Sequence, residues 1–600
     1  MNNLKSLVVF PRQSAVTIIL LLVASALFLT VIQPPMGWSF LAWVALVPFI
    51  LACSPDVKPK NLAVAAYIVS ACYWLVNLHW VSLVTVLGWI AFCLYTAAIW
   101  PIVALCLRYC RAKKIPLFLA AAVLFVAAEH LQGFPLGGFS WRFLAHSQYR
   151  NTTLIQISDI FGQAGPSFLI AMVNGLVAEL IIAVYQKKLL TLENLMKTVI
   201  VTGAVLSTIV YGRWRIDQSP ACTDSGPLVA ALQSNVPQAV KRTFKVGKEI
   251  FNDLMQQSRA GAASGGQLIV WPETMVQAFL DAQVWPVLSL SEDAIESQEL
   301  DQVLKEHAKG TAYLLVGAYG AALEYDSDVN LSLSRYNSAF LYRPDGQQDH
   351  KRYDKIHLVL FGEYLPFRKS CYRFYKFLRG FTPYNYDYTL DAGNEYTVFE
   401  MTVPVADTTA NERGTVNQQR LKTDARSYHF GVIICYEDTV PCIARRFAVD
   451  KHGRKQVDWL VNISNDGWFV RFKDNDKEVI ASEELAQHAA ICAFRAVENR
   501  LAILRSTNTG ISCLIDSLGR IRSSYMASSP GFPADAMKRK GIAGWFTDKM
   551  PIDNRVTFFS KHGQWLDNCC IMGLALLAAT PSVARLVKAY RMKRLVRVDK

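Results

Sequence analysis

Residues 429–447 read HFGVIICYEDTVPCIARRF. The apolar run 430–434 ends directly on Cys435, and sequence of helical character follows. A run that is apolar at every position, rather than at every second one, is a strand covered on both faces, as in layered α/β folds. The same texture recurs on either side. LVAAL (228–232), QLIVW (267–271), YLLVGAY (313–319), SAFLYR (338–343), DWLVNI (458–463), LAILRS (501–506) and SCLID (512–516) read as strands. Residues 239–260 and 482–499 read as helices. The alternation from about 226 to 520 predicts an α/β domain, with the polar stretch 404–427 as an exposed insertion. No internal repeat is evident.

Outside that domain the texture changes. The 600 residues are 52% hydrophobic and only 18% charged, below the roughly 25% charge of a soluble domain. Apolar runs crowd 14–212 and return at 569–584. At about 20 residues per crossing, eight spans are expected: 15–32, 38–53, two within 61–107 turning near Asn77–Trp80, 115–131, 166–185, a short 198–212, and 569–584. Residues 1–30 begin like a signal peptide, but the apolar core is too long and further spans follow, so this is read as an uncleaved first span. Glu179, near a span end, reads as snorkelling or paired.

The net charge of +14 needs no nucleic acid. Lys58/Lys60, Arg108–Lys114 and Lys187/Lys188 follow every second crossing, and residues 585–600 hold seven basic side chains against Asp599. The positive-inside rule places those segments in the cytoplasm and the large domain on the opposite side. The expected division is a helical membrane domain over 1–212, an extramembrane domain over 213–568, and a final span with a basic tail over 569–600. The 13 cysteines include no CxxC pair, and Cys53, Cys72, Cys93, Cys106 and Cys110 lie in or beside apolar spans. They do not form a disulfide framework.

Three segments carry reactive side chains at strand ends. LIVWPET (268–274) places Glu273 past a strand that Pro272 cannot continue. YDKIHLVLFGEYLPF (353–367) holds Lys355, His357 and Glu363. Cys435 stands on a strand-to-helix turn, where helix-end N–H groups favour thiolate and can cradle an oxyanion. A thiol needs a base to become a nucleophile, a buried carboxylate can be that base, and an ammonium beside both stabilises an oxyanion. Taken singly, each residue has a blander reading: a core cysteine, a solvated turn glutamate, a surface lysine. Spacing alone does not join them. No GxSxG elbow, HExxH, P-loop or zinc-finger spacing is present.

WPET, KIHLVLFGEY, CYE and NISNDGWF, in that order, resemble the carbon–nitrogen hydrolase (nitrilase) superfamily. With the multi-span N-terminus and the final span, the resemblance is closer to its apolipoprotein N-acyltransferase branch and covers essentially the whole chain. QSNVPQ (233–238), FGEYLPF (361–367), RSTNTGIS (505–512) and VTFFSKHGQW (556–565) add to it. The resemblance implies a nitrilase-like α-β-β-α sandwich on a polytopic bundle, with Glu273 as general base, Lys355 as oxyanion stabiliser and Cys435 as nucleophile. It implies Glu363 as a supporting carboxylate, Tyr436 and Glu437 as pocket-shaping, Trp468 as an aromatic near substrate, and no metal or organic cofactor. Leu360 stands where the family pattern has proline, and the stretches after Glu273 and at 404–427 are less familiar.

The implied activity is the last step of bacterial lipoprotein maturation at the inner membrane, facing the periplasm. A phospholipid would acylate Cys435, and the α-amine of a diacylglyceryl-cysteine apolipoprotein would take the acyl group from the thioester. Two aromatic stretches, 275–290 and 373–390, are expected as lids dipping toward lipid, with packed core as their plainer reading. The rivals are a membrane-tethered amidase or nitrilase, an acyltransferase for another lipid-linked amine, and a transporter or receptor whose outer domain only binds.

Overall fold

The computed structural model describes residues 14–134, 138–236, 244–288, 292–325, 331–367, 370–380, 382, 388–404, 425–472, 479–482 and 484–580. The expected polar insertion at 404–427, apart from its ends, and the basic tail at 585–600 lie outside these residues, as do 581–584 of the last expected span. The chain divides into two units, one of Met1–Asp217 with His562–Lys600 and one of Gln218–Lys561.

The first unit is helical. Three helices, Val86–Ala112, Ala164–Tyr185 and Leu192–Asp217, are long and apolar enough to cross a membrane by length and composition among the described residues. Ala15–Val31, Ser39–Ala52, Leu117–Gln132 and Trp565–Thr580 are apolar but shorter, so length supports three of the eight expected spans directly. Pro59–Asn77 forms a further helix, and a 3-10 turn over His79–Leu83 reverses the chain where the sequence placed a turn.

The expected short span 198–212 is the middle of a 26-residue helix. Its polar start is held because Lys197 pairs with Glu193 at 2.7 Å and with Glu179 at 3.2 Å, which also gives Glu179 the paired role expected of it. Arg108 donates to the Pro55 and Val57 carbonyls and Arg111 to those of Ile50 and Leu51. Arg111 therefore satisfies carbonyls in the last turn of the short helix Val47–Ala52, and Arg108 satisfies carbonyls of the loop that follows it. A Cβ at Gly175 would lie 2.3 Å from the Leu117 carbonyl oxygen, a close helix approach of the kind small residues permit.

The second unit is built on β1 (Thr223–Gln233), β2 (Leu268–Val270), β3 (Val276–Phe279), β4 (Tyr313–Tyr325), β5 (Leu331–Tyr342), β6 (Gln348–Asp354), β7 (Val398–Pro404), β8 (Ala425–Ile434), β9 (Trp459–Ser464), β10 (Val470–Phe472), β11 (Val479–Ala481), β12 (Ala502–Thr507), β13 (Cys513–Ile515), β14 (Ala527–Ser528) and β15 (Gly544–Asp553). One sheet runs β14-β15-β1-β2-β4-β5-β6 with β3 on β4, a second runs β13-β12-β9-β8-β7, and β10-β11 is a separate ribbon. Each strand read from the sequence is present. Of the additional ones, β6 is polar, QDHKRYD, with mostly half-exposed residues, and β3, β10, β11 and β14 are each four residues or shorter.

The sheets face each other: the Ser506 hydroxyl on β12 donates to the Leu232 carbonyl of β1 and the Val270 carbonyl of β2. Helices cover the outer faces. Ile250, Phe251 and Leu254 from helix Phe244–Ala263 and Leu304 from helix Glu292–Ala308 pack on Ile269, Leu314 and Phe340. Helix Glu484–Asn499, buried along its whole length, and Pro441–Ala448 lie over the second sheet. At the centre of each sheet the strands are parallel, β1/β2/β4 and β8/β9/β12. Carboxyl ends of parallel strands are where open α/β sheets place ligands.

The stretch 275–290 is not a lid through its described part. β3 pairs with β4, Val276, Leu280 and Val284 are buried, and the Ala321 N–H donates to Asp281. Val276, Leu280 and Val284 are core, while Val287 is exposed. At 373–390, helix Tyr372–Arg379 exposes Tyr372, Phe374 and Phe377; residues 381 and 383–387 lie outside the described residues.

Gly317 on β4 is the closest constraint on Glu273. A Cβ there would lie 2.5 Å from the Pro272 carbonyl oxygen and 2.7 Å from the Glu273 Cα, and backbone cannot give way as a flexible side chain can. Gly317→Ala is expected to cost about 1–3 kcal/mol of stability through overpacking and to reduce any activity that needs Glu273 in place. Thermal unfolding and activity measured together check both effects.

Candidate active site

Each reactive residue stands just past a strand. Glu273 follows β2, Lys355 follows β6, Cys435 follows β8, and Asn465 follows β9. Two of these exits are conformationally unusual: Cys435 has φ +53° and Thr274, next to Glu273, φ +48°. A β-branched or bulky residue at positive φ is uncommon and persists only where the surroundings impose it, typically at functional sites.

Lys355 is the hub. It is 1% exposed. Its Nζ lies 2.8 Å from Glu363 Oε2, 2.9 Å from Glu363 Oε1 and 3.6 Å from Glu273 Oε1. Burial alone would strip the proton from a lysine, but the Glu363 and Glu273 charges, with Cys435 nearby, outweigh it and hold Lys355 above its usual pKa. Asn337 Nδ2 joins the two carboxylates, donating to Glu273 Oε1 at 2.6 Å and Glu363 Oε1 at 2.9 Å. The Asn465 backbone N–H donates to Glu273 Oε2 at 2.6 Å. Glu363 is tied down by the Val359 N–H at 2.8 Å, and its own N–H reaches the Val359 carbonyl at 2.8 Å, so the turn forms with Leu360 in place.

Cys435 is half-buried. Desolvation first, then the Glu273 charge, push its thiol well above the ordinary range, and Lys355 opposes them. The thiol is therefore neutral at rest, and a nucleophilic role would require proton removal in step with attack. Glu437, two residues on, is fully buried. It accepts from the backbone N–H groups of Ile434, Ile356 and His357 at 2.7, 2.7 and 3.0 Å, and from the Tyr353 hydroxyl at 2.8 Å. Burial pushes its carboxyl up to about 7 against those donors. Its geometry is that of a tie between the Cys435 turn and the Lys355 strand exit. Tyr436 stacks on His357 with ring centroids 5.9 Å apart. Trp468 sits half-buried on the 3-10 turn Asp466–Phe469, just before the β10-β11 ribbon.

The tertiary fold thus brings Glu273, Lys355, Glu363 and Cys435 into one electrostatic neighbourhood and places Glu437 beneath it. Sequence reading missed Asn337, for which a lone asparagine entering a strand carries no signal. It also gave no role to Asn465 and Asp466 inside NISNDGWF or to Arg505 inside RSTNTGIS, although both motifs were noted. Among the described residues no cluster of His, Cys, Asp and Glu is set to hold a metal ion.

Residues 228–529 match the description carbon–nitrogen hydrolase, and residues 25–176 match the description apolipoprotein N-acyltransferase N-terminal domain. The chain is 29% identical over 576 residues to an apolipoprotein N-acyltransferase of Geobacter metallireducens, covering 93% of this chain and 94% of the relative. It is 26% identical over 586 residues to one of Brucella melitensis, covering 93% of each. Among solved structures, an amidase of the nitrilase superfamily from Nesterenkonia AN1 aligns with 57% of this chain and 94% of its own, at 11% identity and a TM-score of 0.31.

The opposing charges around the thiol predict opposite shifts. Glu273→Gln removes a charge that raises the Cys435 pKa, and Lys355→Gln removes one that lowers it. The pH profile of Cys435 alkylation by iodoacetamide, read by site-resolved mass spectrometry, is expected to move to lower pH in the first variant and to higher pH in the second.

Proposed function

The chain belongs to the carbon–nitrogen hydrolase family, and on that premise we propose that it is a membrane N-acyltransferase. In this reading it moves an acyl chain from a phospholipid to the α-amine of a diacylglyceryl-cysteine apolipoprotein. The observation that carries the reading is the buried Lys355 held between Glu273 and Glu363, in the charge environment of Cys435 on its positive-φ turn. The matching N-terminal domain over 25–176 and full-length similarity to proteins named as apolipoprotein N-acyltransferases support the choice of acceptor over water.

Glu273 takes the Cys435 proton as sulfur attacks the sn-1 ester carbonyl. Lys355 and backbone N–H groups carry the charge that develops on the carbonyl oxygen. The ester C–O bond breaks, the leaving oxygen takes the proton back from Glu273, and lysophospholipid departs from a Cys435 thioester. The lipoprotein amine then attacks the thioester carbon and gives a proton to Glu273. The C–S bond breaks, and the thiolate is reprotonated. Glu363 and Asn337 keep Lys355 charged and Glu273 aimed throughout. Two half-reactions sharing one site give ping-pong kinetics.

The helical unit would anchor the enzyme as a multi-pass protein of the bacterial inner membrane, with the catalytic unit in the periplasm. The three long apolar helices and the basic clusters after alternate crossings support that orientation. Tyr372, Phe374 and Phe377, exposed on a short helix with Arg373, Lys376 and Arg379, suit a lipid-facing edge of the catalytic unit.

Cys435→Ala is expected to abolish acyl transfer while the protein still inserts. Incubation of the wild type with phospholipid alone is expected to leave an acyl-mass adduct on Cys435, seen by intact-mass analysis; full activity in Cys435→Ala would sink the mechanism. A reporter fused after residue 217 is expected to report the periplasm, and a cytoplasmic signal would reverse the orientation.

A further inference from the structure

Behind the Cys435 turn lies a second set of buried charges that the chemistry above does not use. Asp438, Asp466, Glu484, His488 and Arg505 are each at most 2% exposed. Asp438 belongs to the 3-10 turn Cys435–Thr439 that the nucleophile opens. Asp466 adjoins Asn465, whose N–H holds Glu273. Arg505, on β12, reaches both: Nη1 to Asp438 Oδ2 at 2.9 Å and Nη2 to Asp466 Oδ2 at 3.1 Å. Nη1 also donates to the Asn462 side chain, its partner in register on neighbouring β9. Side chains alternate across a strand, so Ser506 faces the other sheet while Arg505 faces the helix layer and the loops.

His488 Nδ1 meets both Asp438 carboxylate oxygens, at 2.9 and 2.8 Å, and His488 Nε2 lies 2.8 Å from Glu484. Arg505 thus bonds to a carboxylate on each loop. The same RSTNTG segment closes around the second loop. Asn508 donates to the Asn465 side chain at 2.8 Å, and a Cβ at Gly510 would lie 1.9 Å from Asp466 Oδ2.

We propose that Arg505 is a positioning residue, whose two-armed ion pair with Asp438 and Asp466 locks the loop carrying Cys435 to the loop that aims Glu273. The inference rests on the assignment of Cys435 and Glu273 as nucleophile and base. A planar guanidinium offers a separate nitrogen to each carboxylate at fixed spacing, whereas a lysine ammonium is a single point that both carboxylates would have to approach. Arg505→Lys therefore keeps the charge but loses the spacing.

The test uses the full-length enzyme in detergent or proteoliposomes. The first half-reaction is followed as acyl-enzyme formation, normalised to the Cys435 that iodoacetamide can label. Arg505→Lys is expected to slow acylation at least about tenfold with KM for phospholipid within about twofold. Asp438→Asn and Asp466→Asn, which change charge but hardly shape, are expected to do the same. The double variant Asp438→Asn with Arg505→Lys is expected to be no slower than the worse single, because residues in one network are not additive. Arg505 is overturned as a positioning residue if its lysine variant melts lower yet acylates at the wild-type rate per labelled site. Should that variant fail to fold, wild-type acylation in both asparagine variants overturns it equally. Failure of the underlying assignment would look different: Cys435→Ala would retain activity whatever residue 505 is.

Discussion

An ammonium at the bottom of the site, almost wholly withdrawn from water, constrains everything around it. A buried lysine costs several kcal/mol unless it is paired and hydrogen-bonded, and Lys355 is kept charged by two carboxylates at once. Two carboxylates side by side would themselves repel. Lys355 and Asn337 share the work of holding them together, Asn337 donating to both. Glu273, Glu363, Lys355 and Asn337 are thus conditions of one another's burial. They come from four separate places in the chain: beyond β2, the turn after Lys355, beyond β6 and within β5.

That arrangement is available because the strands deliver their ends to one region. The parallel centres of the two sheets direct β2, β8 and β9 toward the site with the same sense. The chain then leaves each strand in a tight turn, twice through a positive φ at a residue with a side chain. The strain of those turns is held by hydrogen bonds from elsewhere. Glu437 accepts four donors drawn from the Cys435 turn and the Lys355 exit. Beneath it, Asp438 is held below its ordinary pKa despite burial, because His488 and Arg505 lie against it. His488 is itself pushed up to about 10 by Asp438 and Glu484 and so remains a cation. The Cys435 turn rests on a neutralised ionic floor rather than on an apolar one.

The helical unit solves its own problem by similar means. Arg111 donates to carbonyls in the last turn of a short helix, Arg108 donates to carbonyls of the loop beyond it, and Lys197 neutralises Glu179. Basic residues near helix ends are thus structural partners in this unit.

Strand texture was legible in the sequence because a strand buried on both faces must be apolar at every position, and LVAAL, FGVII and LAILRS could be little else. The turn near Asn77–Trp80 was legible for the complementary reason that polar groups interrupt an apolar run. Cys435, Lys355 and Glu273 could be named, but only resemblance joined them, since spacing along the chain says nothing about separations that depend on sheet order. Tertiary structure alone decided the rest. It made Asn337 the link between two carboxylates, turned 275–284 into core rather than lid, lengthened the 198–212 span into a helix starting at Leu192, and set Arg505 between two loops. Each of these depends on a partner dozens of residues away or on a polar side chain satisfied across a layer, and local composition carries no record of such partners.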